Sequence, residues 1–147
     1  MTLSACGADD PAPPQAGAGA GVGAPAIVEA PAPAAASVPA SGSELDAGAF
    51  AAALQAPHTV ILDVRTPAEF AAGHLPGAVN IDVESPGFGA ELAALDPDVP
   101  YAVYCRSGNR SGVALDLMAA AGFTHNYHLG GGIGAWAQAG GPIVAGD

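Results

Sequence analysis

The chain has 147 residues and a formal net charge of −11 at pH 7, with three arginines and no lysine. This length holds one domain and a tail. So few cations on so acidic a chain argue against nucleic acid or an anionic membrane surface as a partner. No stretch of the sequence reaches the roughly 20 apolar residues of a membrane-spanning helix. No Cys/His spacing is typical of a zinc site, so we expect no metal.

The start of the chain resembles a bacterial lipobox. Residues 3–7 read Leu-Ser-Ala-Cys-Gly, with Cys6 as the residue that would be acylated. Only five residues precede Cys6, whereas a signal peptide has an apolar core of about 7–15 residues, so either a longer signal precedes Met1 or the match is accidental. We expect a membrane tether through lipidated Cys6 and a place in the cell envelope, in the periplasm or at the outer cell surface; a cytoplasmic location is the alternative.

Residues 7–42 consist mainly of Ala, Pro and Gly. Such a segment cannot bury enough apolar surface to offset the entropy lost on ordering, so the composition predicts a disordered tether. We therefore divide the chain into a lipobox-like start and tether over residues 1–42 and a folded domain over residues 43–147.

The folded domain alternates between helical and strand patterns. Ser43 caps the first predicted helix, with Asp46 as the acid of its capping box, and Thr66 and Glu69 form a second capping box. Continuous apolar runs are typical of strands buried on both faces of a parallel sheet. The predicted elements are helices at 43–55, 67–72, 88–95, 109–121 and 133–138 and strands at 58–62, 78–81, 101–104 and 125–129. This alternation indicates one domain of βα units with right-handed crossovers.

Side-chain spacing also assigns parts of the core. The recurrence of Val113, Leu117 and Ala121, with Ala114 and Met118 beside them, predicts that this face of the helix at 109–121 packs on the sheet. Trp136 is expected to pack against the domain core. Four histidines are dispersed along the domain, and we expect structural roles for them: His58, His74, His125 and His128.

Cys105 lies where a predicted strand ends and a loop leads into a helix. There, backbone N–H groups of the loop and the positive end of the helix dipole favour thiolate over thiol. Gly108 allows the loop to curl so that its amides point inward. Arg106 and Arg110 add two positive charges, which we expect to focus an anionic substrate onto the thiol. Cys105 is therefore the candidate nucleophile, and the predicted substrate-binding residues follow it: Arg106, Ser107, Gly108, Asn109, Arg110 and Ser111.

Four segments of the domain resemble the signatures of a known family, the rhodanese-like sulfurtransferases. They are residues 63–70 (Asp-Val-Arg-Thr-Pro-Ala-Glu-Phe), 73–81 (Gly-His-Leu-Pro-Gly-Ala-Val-Asn-Ile), 101–111 (Tyr-Ala-Val-Tyr-Cys-Arg-Ser-Gly-Asn-Arg-Ser) and 129–136 (Leu-Gly-Gly-Gly-Ile-Gly-Ala-Trp). They occur in the family's order and span nearly all of residues 43–147. The resemblance implies a single α/β domain with a central parallel sheet of about five strands and helices on both faces.

The resemblance also implies a reaction. A persulfide on Cys105 would carry sulfane sulfur from thiosulfate or a similar small anionic donor to cyanide or a thiol acceptor, with no cofactor besides the covalent persulfide. Asp63, Arg65 and His74 would support the structure near the site rather than take part in the chemistry.

Two other classes of function stay open. The same fold with an intact cysteine also suits a persulfide carrier without turnover, or a redox-sensing or binding module. A Cys-dependent phosphatase or arsenate reductase is a third class, because a related loop supports that chemistry with five residues between Cys and Arg. Here four residues separate Cys105 from Arg110, and the shorter loop fits a sulfur atom better than a tetrahedral phosphate.

Overall fold

The computed structural model describes residues 37–146. The lipidation candidate Cys6 and the predicted tether up to residue 36 lie outside the described residues. Within residues 37–146, no helix combines the length and the apolar character needed to cross a membrane. Ser41 and Gly42, at the end of the predicted tether, both bind Asn126: Ser41 Oγ donates to Asn126 Oδ1 at 2.6 Å, and the Gly42 N–H donates to the Asn126 carbonyl at 2.6 Å.

Strands and helices alternate through the described part of the chain. The strands are β1 (Glu44–Leu45), β2 (Val60–Asp63), β3 (Val79–Asn80), β4 (Tyr101–Tyr104) and β5 (Asn126–Leu129). The helices are α1 (Ala47–Ala53), α2 (Pro67–Ala72), α3 (Phe88–Ala93), α4 (Asn109–Ala120) and α5 (Gly132–Gln138). The strands form one five-stranded sheet in the order β1-β5-β4-β2-β3, and every neighbouring pair is parallel. The predicted α/β domain with a central parallel sheet is confirmed.

Successive residues of β4 point to opposite faces of the sheet, as the period of a strand requires. Tyr101 and Val103 belong to a core that includes the buried side chains of α3 and α4. Ala102 and Tyr104 belong to a second core with those of α1 and α5. Helices therefore cover both faces, which accounts for the uninterrupted apolar character of β4. Trp136 packs in the second core, as the sequence predicts.

Helix α2 begins where its capping box predicts. The Glu69 N–H donates to Thr66 Oγ1 at 3.3 Å, and the Thr66 N–H donates in return to Glu69 Oε2 at 3.3 Å. Pro67 occupies the first helical position, where its missing N–H leaves no helical bond unmade. Glu69 is thus fixed at the start of α2.

The first predicted helix begins later than its sequence suggests. Glu44 and Leu45 form β1, which pairs with His128 and Leu129 of β5. Asp46 is the residue that caps α1, because its Oδ1 accepts the N–H of Ala49 at 2.8 Å. The predicted Ser43 cap is wrong, since the backbone of these residues is committed to a strand partner more than 80 positions away.

The predicted core face of α4 is right for Ala114 and Met118, which are buried, and wrong for Val113 and Leu117. Val113 is 54% exposed and Leu117 is 44% exposed. The buried side chains of the helix are Ser111, Ala114, Leu115 and Met118. Both faces of this helix carry apolar residues, so their spacing alone does not decide which one meets the sheet. The docking of α4 instead places Ser111 inside the protein, directly beside the cysteine loop.

Candidate active site

Cys105 immediately follows β4, at the edge of the sheet where the parallel strands end. Ligands bind at this edge in open α/β sheets. The residue is buried, with 1% of its surface exposed. The Gly108 N–H donates to its Sγ at 3.0 Å, and Sγ lies 3.5 Å from the hydroxyl Oγ of Ser111. The loop thus curls around the sulfur and presents hydrogen-bonding groups to it.

Two glycines allow this loop geometry. Gly108 has φ 106° and precedes α4, in a region that residues with a side chain rarely adopt. Gly132 has φ 60°, and a Cβ there would overlap the carbonyl groups of Cys105 and Arg106. The Ile133 N–H donates to the Cys105 carbonyl at 2.9 Å. The start of α5 therefore holds the loop in place by close backbone contact.

The surroundings of Cys105 favour its thiolate. Burial raises the pKa of the thiol, but hydrogen bonds from the Ser111 hydroxyl and from the N–H groups of Ser111, Gly108 and Ser107 outweigh it, so the pKa lies below the ordinary value for cysteine. The thiolate is the nucleophilic form of the group. At a given pH the site therefore holds more of Cys105 in the nucleophilic form than an ordinary cysteine would.

Arg110 is occupied by carboxylates. Its Nη1 and Nη2 donate to the two carboxylate oxygens of Glu69 at 2.9 and 3.0 Å, and Nη1 also reaches Glu84 Oε2 at 3.2 Å. The hydrogen bond from Arg110 is the main cause that lowers the pKa of Glu69 to about 2. This pairing joins the start of α4 to the start of α2. A donor anion that used Arg110, as the sequence analysis expects, would have to displace a carboxylate.

Arg106 is the loop arginine that faces solvent. Within residues 37–146 its guanidinium makes no hydrogen bond or ion pair, while its carbonyl accepts the Gly134 N–H at 3.5 Å. A cavity of about 440 Å³ beside the loop is lined by Arg65, Glu69, Ala72, Gly73, Arg106, Ile133, Gly134, Ala137 and Ile143. Ser107 and Asn109 are also exposed on the loop. An anion entering from this side would meet Arg106 first.

Asp63 and Arg65 form a buried ion pair that contacts Tyr104, the residue before the candidate nucleophile. Arg65 Nη2 lies 2.5 Å from Asp63 Oδ2 and donates to the Gly73 carbonyl at 2.6 Å. The Tyr104 hydroxyl donates to Asp63 Oδ2 at 2.7 Å and accepts the Leu75 N–H at 3.0 Å. This network links β2, β4 and the turn after α2, and its charges are already satisfied by one another.

His74 lies in the turn that follows α2. Its Nδ1 is 2.8 Å from the Phe70 carbonyl, and its ring stacks on that of Phe70 with centroids 3.7 Å apart. Its backbone N–H and carbonyl pair with Val144 at 2.8 and 2.9 Å. These contacts fix the turn and fasten the C-terminal segment to it.

His128 enters the site although the sequence analysis assigns it only a generic structural role. Its Nδ1 lies 2.8 Å from Ser111 Oγ, the same hydroxyl that contacts the Cys105 sulfur. The contact joins β5 to α4, and the two residues are 17 positions apart in the sequence. No local sequence pattern predicts the contact between Ser111 and His128, because this contact depends on β5 lying next to β4 in the sheet.

The described residues contain one free thiol, that of Cys105. In residues 37–146 no three His, Cys, Asp or Glu side chains converge closely enough to hold a metal ion. The Cys105 thiol lies within a loop whose amides point towards its sulfur.

Comparison with known proteins identifies the family. Residues 46–139, well over half of the chain, match the rhodanese-like domain. The chain belongs to the rhodanese-like family. A sulfurtransferase from Allochromatium vinosum is 36% identical to this rhodanese-like chain over 104 residues, which cover 70% of this chain and 95% of that protein. The thiosulfate sulfurtransferase GlpE of Pseudomonas entomophila is 37% identical over 86 residues, or 58% of this chain and 77% of that protein.

The fold agrees with this family assignment. A rhodanese-related protein from Thermoplasma volcanium superposes on the rhodanese-like chain with a TM-score of 0.62 at 28% identity, covering 69% of this chain and 97% of that one. Sulfur transfer is accordingly the reaction class of this protein at the level of the family.

Proposed function

We propose that the protein transfers sulfane sulfur from thiosulfate, or a similar small anionic donor, to cyanide or a thiol through a persulfide on Cys105. The observation that carries the proposal is the setting of the Cys105 sulfur. It accepts the Gly108 N–H at 3.0 Å and lies 3.5 Å from the Ser111 hydroxyl. These groups lower the pKa of the thiol against the opposing effect of burial.

In the first step the Cys105 thiolate attacks the outer sulfur of thiosulfate. A new sulfur–sulfur bond forms on Sγ, the sulfur–sulfur bond of the donor breaks, and sulfite leaves with the electron pair. The loop N–H groups stabilise negative charge on the transferred sulfur, as the amides of an oxyanion hole do for oxygen. The product is a Cys105 persulfide and the enzyme carries the sulfur covalently.

In the second step cyanide or an acceptor thiolate attacks the outer sulfur of the persulfide. The bond between the two persulfide sulfurs breaks, and its electron pair returns to Cys105 as a thiolate. Thiocyanate, or the persulfide of the acceptor, is released. Neither step calls for a cofactor besides the persulfide itself, and the kinetics should be ping-pong.

Arg106 is the residue that we propose for donor attraction. It is exposed at the cavity beside the loop, whereas the Arg110 guanidinium is held by Glu69 and Glu84. On so acidic a chain, a single free guanidinium close to the thiol raises the local concentration of an anion. Arg110 would then act by fixing the start of α4 rather than by contacting the donor.

The test is thiocyanate production from thiosulfate and cyanide by the full chain, with mass spectrometry of the protein after donor alone. We expect turnover and one added sulfur on Cys105, and neither in Cys105→Ser. The matched control is Cys6→Ser, which should keep both. Turnover that persists in Cys105→Ser would refute the assignment of the nucleophile.

The burial of Cys105 favours one alternative, a persulfide carrier without turnover. With 1% of the residue exposed, donor and acceptor alike reach the sulfur only if the loop moves, and that movement can limit release of sulfur once it is bound. Such a carrier would be isolated with an added sulfur on Cys105 that cyanide removes slowly. Rapid removal by cyanide would favour the enzyme.

We further propose that lipidated Cys6 tethers the domain in the cell envelope. Support comes from the lipobox-like residues 3–7 and the Ala/Pro/Gly-rich segment after them. Metabolic labelling with a fatty acid analogue should label the membrane fraction of the natural precursor and not of its Cys6→Ser variant. If the precursor and its Cys6→Ser variant are both soluble and unlabelled, the proposed tether is refuted.

A further inference from the structure

A line of polar side chains runs from the candidate nucleophile, at the end of β4, across β5 to the edge strand β1. Ser111 Oγ lies 3.5 Å from the Cys105 sulfur and 2.8 Å from His128 Nδ1. The other ring nitrogen, Nε2 of His128, lies 3.7 Å from Glu44 Oε2. Ser111 and His128 are buried, at 0% and 7% exposed, while the Glu44 side chain is largely in solvent. The proposed reaction assigns no role to His128 or Glu44.

Ser111 is the critical link because its hydroxyl has a single proton. Its Oγ also lies 3.1 Å from the Gly108 carbonyl, so several acceptors compete for that proton. When His128 Nδ1 carries a proton, it donates to Ser111, and the serine proton is free to turn to the sulfur. When Nδ1 is bare, it accepts the serine proton, and the hydroxyl presents lone pairs to the sulfur instead.

The groups around His128 decide which form prevails. Glu44 faces it from β1, Ser111 from α4, and Cys105 lies behind Ser111 at the end of β4. Asp116 of α4 lines the same cavity of about 600 Å³ as Glu44 and His128. The doubly protonated ring gives both nitrogens a partner, Ser111 at Nδ1 and Glu44 at Nε2. After loss of one proton, Glu44 favours keeping the other on Nε2, which leaves Nδ1 as an acceptor.

We propose that His128 is a positioning residue whose protonated ring, facing Glu44, donates to Ser111 and turns the serine hydroxyl onto the Cys105 sulfur, so that His128 and Cys105 titrate as a coupled pair. The inference rests on the proposed role of Cys105 as nucleophile. Burial lowers the pKa of His128 and Glu44 raises it, with burial the larger effect. The coupling therefore acts on the acidic side of neutrality. As pH rises through the pKa of His128, the thiolate loses its hydroxyl donor.

Coupling between two sites is reciprocal, so the first test needs no variant at position 128. The sample is the full chain with Cys6→Ser, in which Cys105 is the single thiol. The ring nitrogens of His128 are titrated by NMR before and after alkylation of Cys105 with iodoacetamide. We expect alkylation to lower the pKa of His128 by about one unit, a tenfold change in its ionisation constant. An unchanged His128 titration would overturn the proposal.

Variants give the second test, read from the ultraviolet absorbance of the Cys105 thiolate against pH. At pH values below the pKa of His128, His128→Leu should lower the fraction of Cys105 present as thiolate about tenfold, Ser111→Ala should do the same, and the double variant should lower it no further. His128→Asn, which keeps an N–H donor near the position of Nδ1, should retain the thiolate fraction at those pH values. His125→Leu, at an exposed histidine just before β5, is the matched control and should change nothing.

The outcomes separate this inference from others. If His128→Leu lowers the unfolding midpoint but leaves the thiolate fraction of Cys105 below the pKa of His128 unchanged, His128 is purely structural and the proposal is wrong. If the coupling is found and thiosulfate turnover is not, the positioning role stands and only the proposed donor chemistry fails. Should His128→Leu not fold, the titration of the unaltered residue still gives the answer.

Discussion

Two buried tyrosines form a matched pair for testing what holds the candidate site together. The Tyr104 hydroxyl donates to Asp63 Oδ2 at 2.7 Å and accepts the Leu75 N–H at 3.0 Å. The Tyr127 hydroxyl, equally buried, makes no hydrogen bond of good geometry within residues 37–146; the Thr59 side chain is near enough only to offset part of the rise in its pKa caused by burial. Removal of each hydroxyl by substitution with Phe changes the same atoms, and only the hydrogen bonds differ.

Tyr104→Phe should lower the free energy of unfolding by about 2–3 kcal/mol. The variant loses a hydrogen bond to a charged carboxylate and leaves the buried Leu75 N–H without its acceptor, and each effect is worth on the order of 1–3 kcal/mol with partial compensation. Tyr127→Phe loses no bond and removes an unsatisfied polar atom, so the free energy of unfolding should stay the same or rise by up to about 1 kcal/mol.

Urea unfolding of the full chain, followed by tryptophan fluorescence, measures both changes. Trp136 is the only tryptophan of the chain and lies in the same core as both tyrosines. The denaturant slope must be equal among the three proteins for the comparison to hold. A Tyr127→Phe variant as unstable as Tyr104→Phe would refute the reasoning, because it would show that loss of packing and not of hydrogen bonds controls stability here.

Three more predictions concern the loop and its supports. Arg106→Met should raise the KM for thiosulfate about tenfold at low ionic strength and leave the free energy of unfolding unchanged. Arg110→Met should lower the free energy of unfolding, measured in urea, by about 1 kcal/mol. A large loss of stability in Arg106→Met, or a raised KM with unchanged stability in Arg110→Met, would contradict the roles given to the two arginines. The folded pKa of Glu69 is depressed to about 2 from its ordinary 4.5, so its stabilising effect is present above pH 4.5 and is lost as pH falls towards 2. Acid unfolding of Glu69→Gln should therefore be shallower over that interval, and an identical acid profile would count against the ion pair. Gly132→Ala forces a Cβ onto the carbonyls of Cys105 and Arg106. The variant should lose at least about 2 kcal/mol of its free energy of unfolding and show no Cys105 persulfide by mass spectrometry. A stable variant that carries the added sulfur would show that the loop relaxes around the new methyl group.

Local signals in the sequence predicted local structure well. The capping box of Thr66 and Glu69 needs only four residues, and α2 begins where it indicates. The apolar run at 101–104 lies between Pro100 and the loop that starts at Cys105, and it predicts the bounds of β4 correctly. In both cases the physical cause lies within a few positions of the element, so that the sequence pattern contains it.

Errors arose where a distant partner decides the outcome. Residues 44 and 45 have a plausible helical start, yet the open edge of β5 offers backbone hydrogen bonds that recruit them as β1. In α4 the apolar residues are spread around the helix, and the face with Leu115 and Met118 meets the sheet while Val113 and Leu117 stay exposed. Spacing gives the period of a helix and not the direction from which the sheet approaches it.

In the candidate site, too, the sequence predicts the local features but not the contacts between distant residues. The loop around Cys105 is continuous in sequence, and the family resemblance covers it. The partners of that loop are not continuous with it: Arg110 meets Glu69 across 41 positions, and Ser111 meets His128 across 17. These pairs have no local signature, since they exist only because the start of α4 lies against α2 on one side and β5 on the other.

The distribution of positive charge bears on how an anionic donor is held. The chain has 14 acidic residues and three arginines. Arg65 is paired with Asp63, and Arg110 with two glutamates, so that one guanidinium of the described residues, that of Arg106, is free for a donor. Long-range attraction is therefore weak, and most of the binding must come from the loop amides, which are fixed dipoles that act only at contact distance. In the Arg106→Met variant the KM for thiosulfate should consequently no longer rise with salt, because contact with backbone N–H groups is little affected by screening and salt weakens the repulsion from the acidic residues.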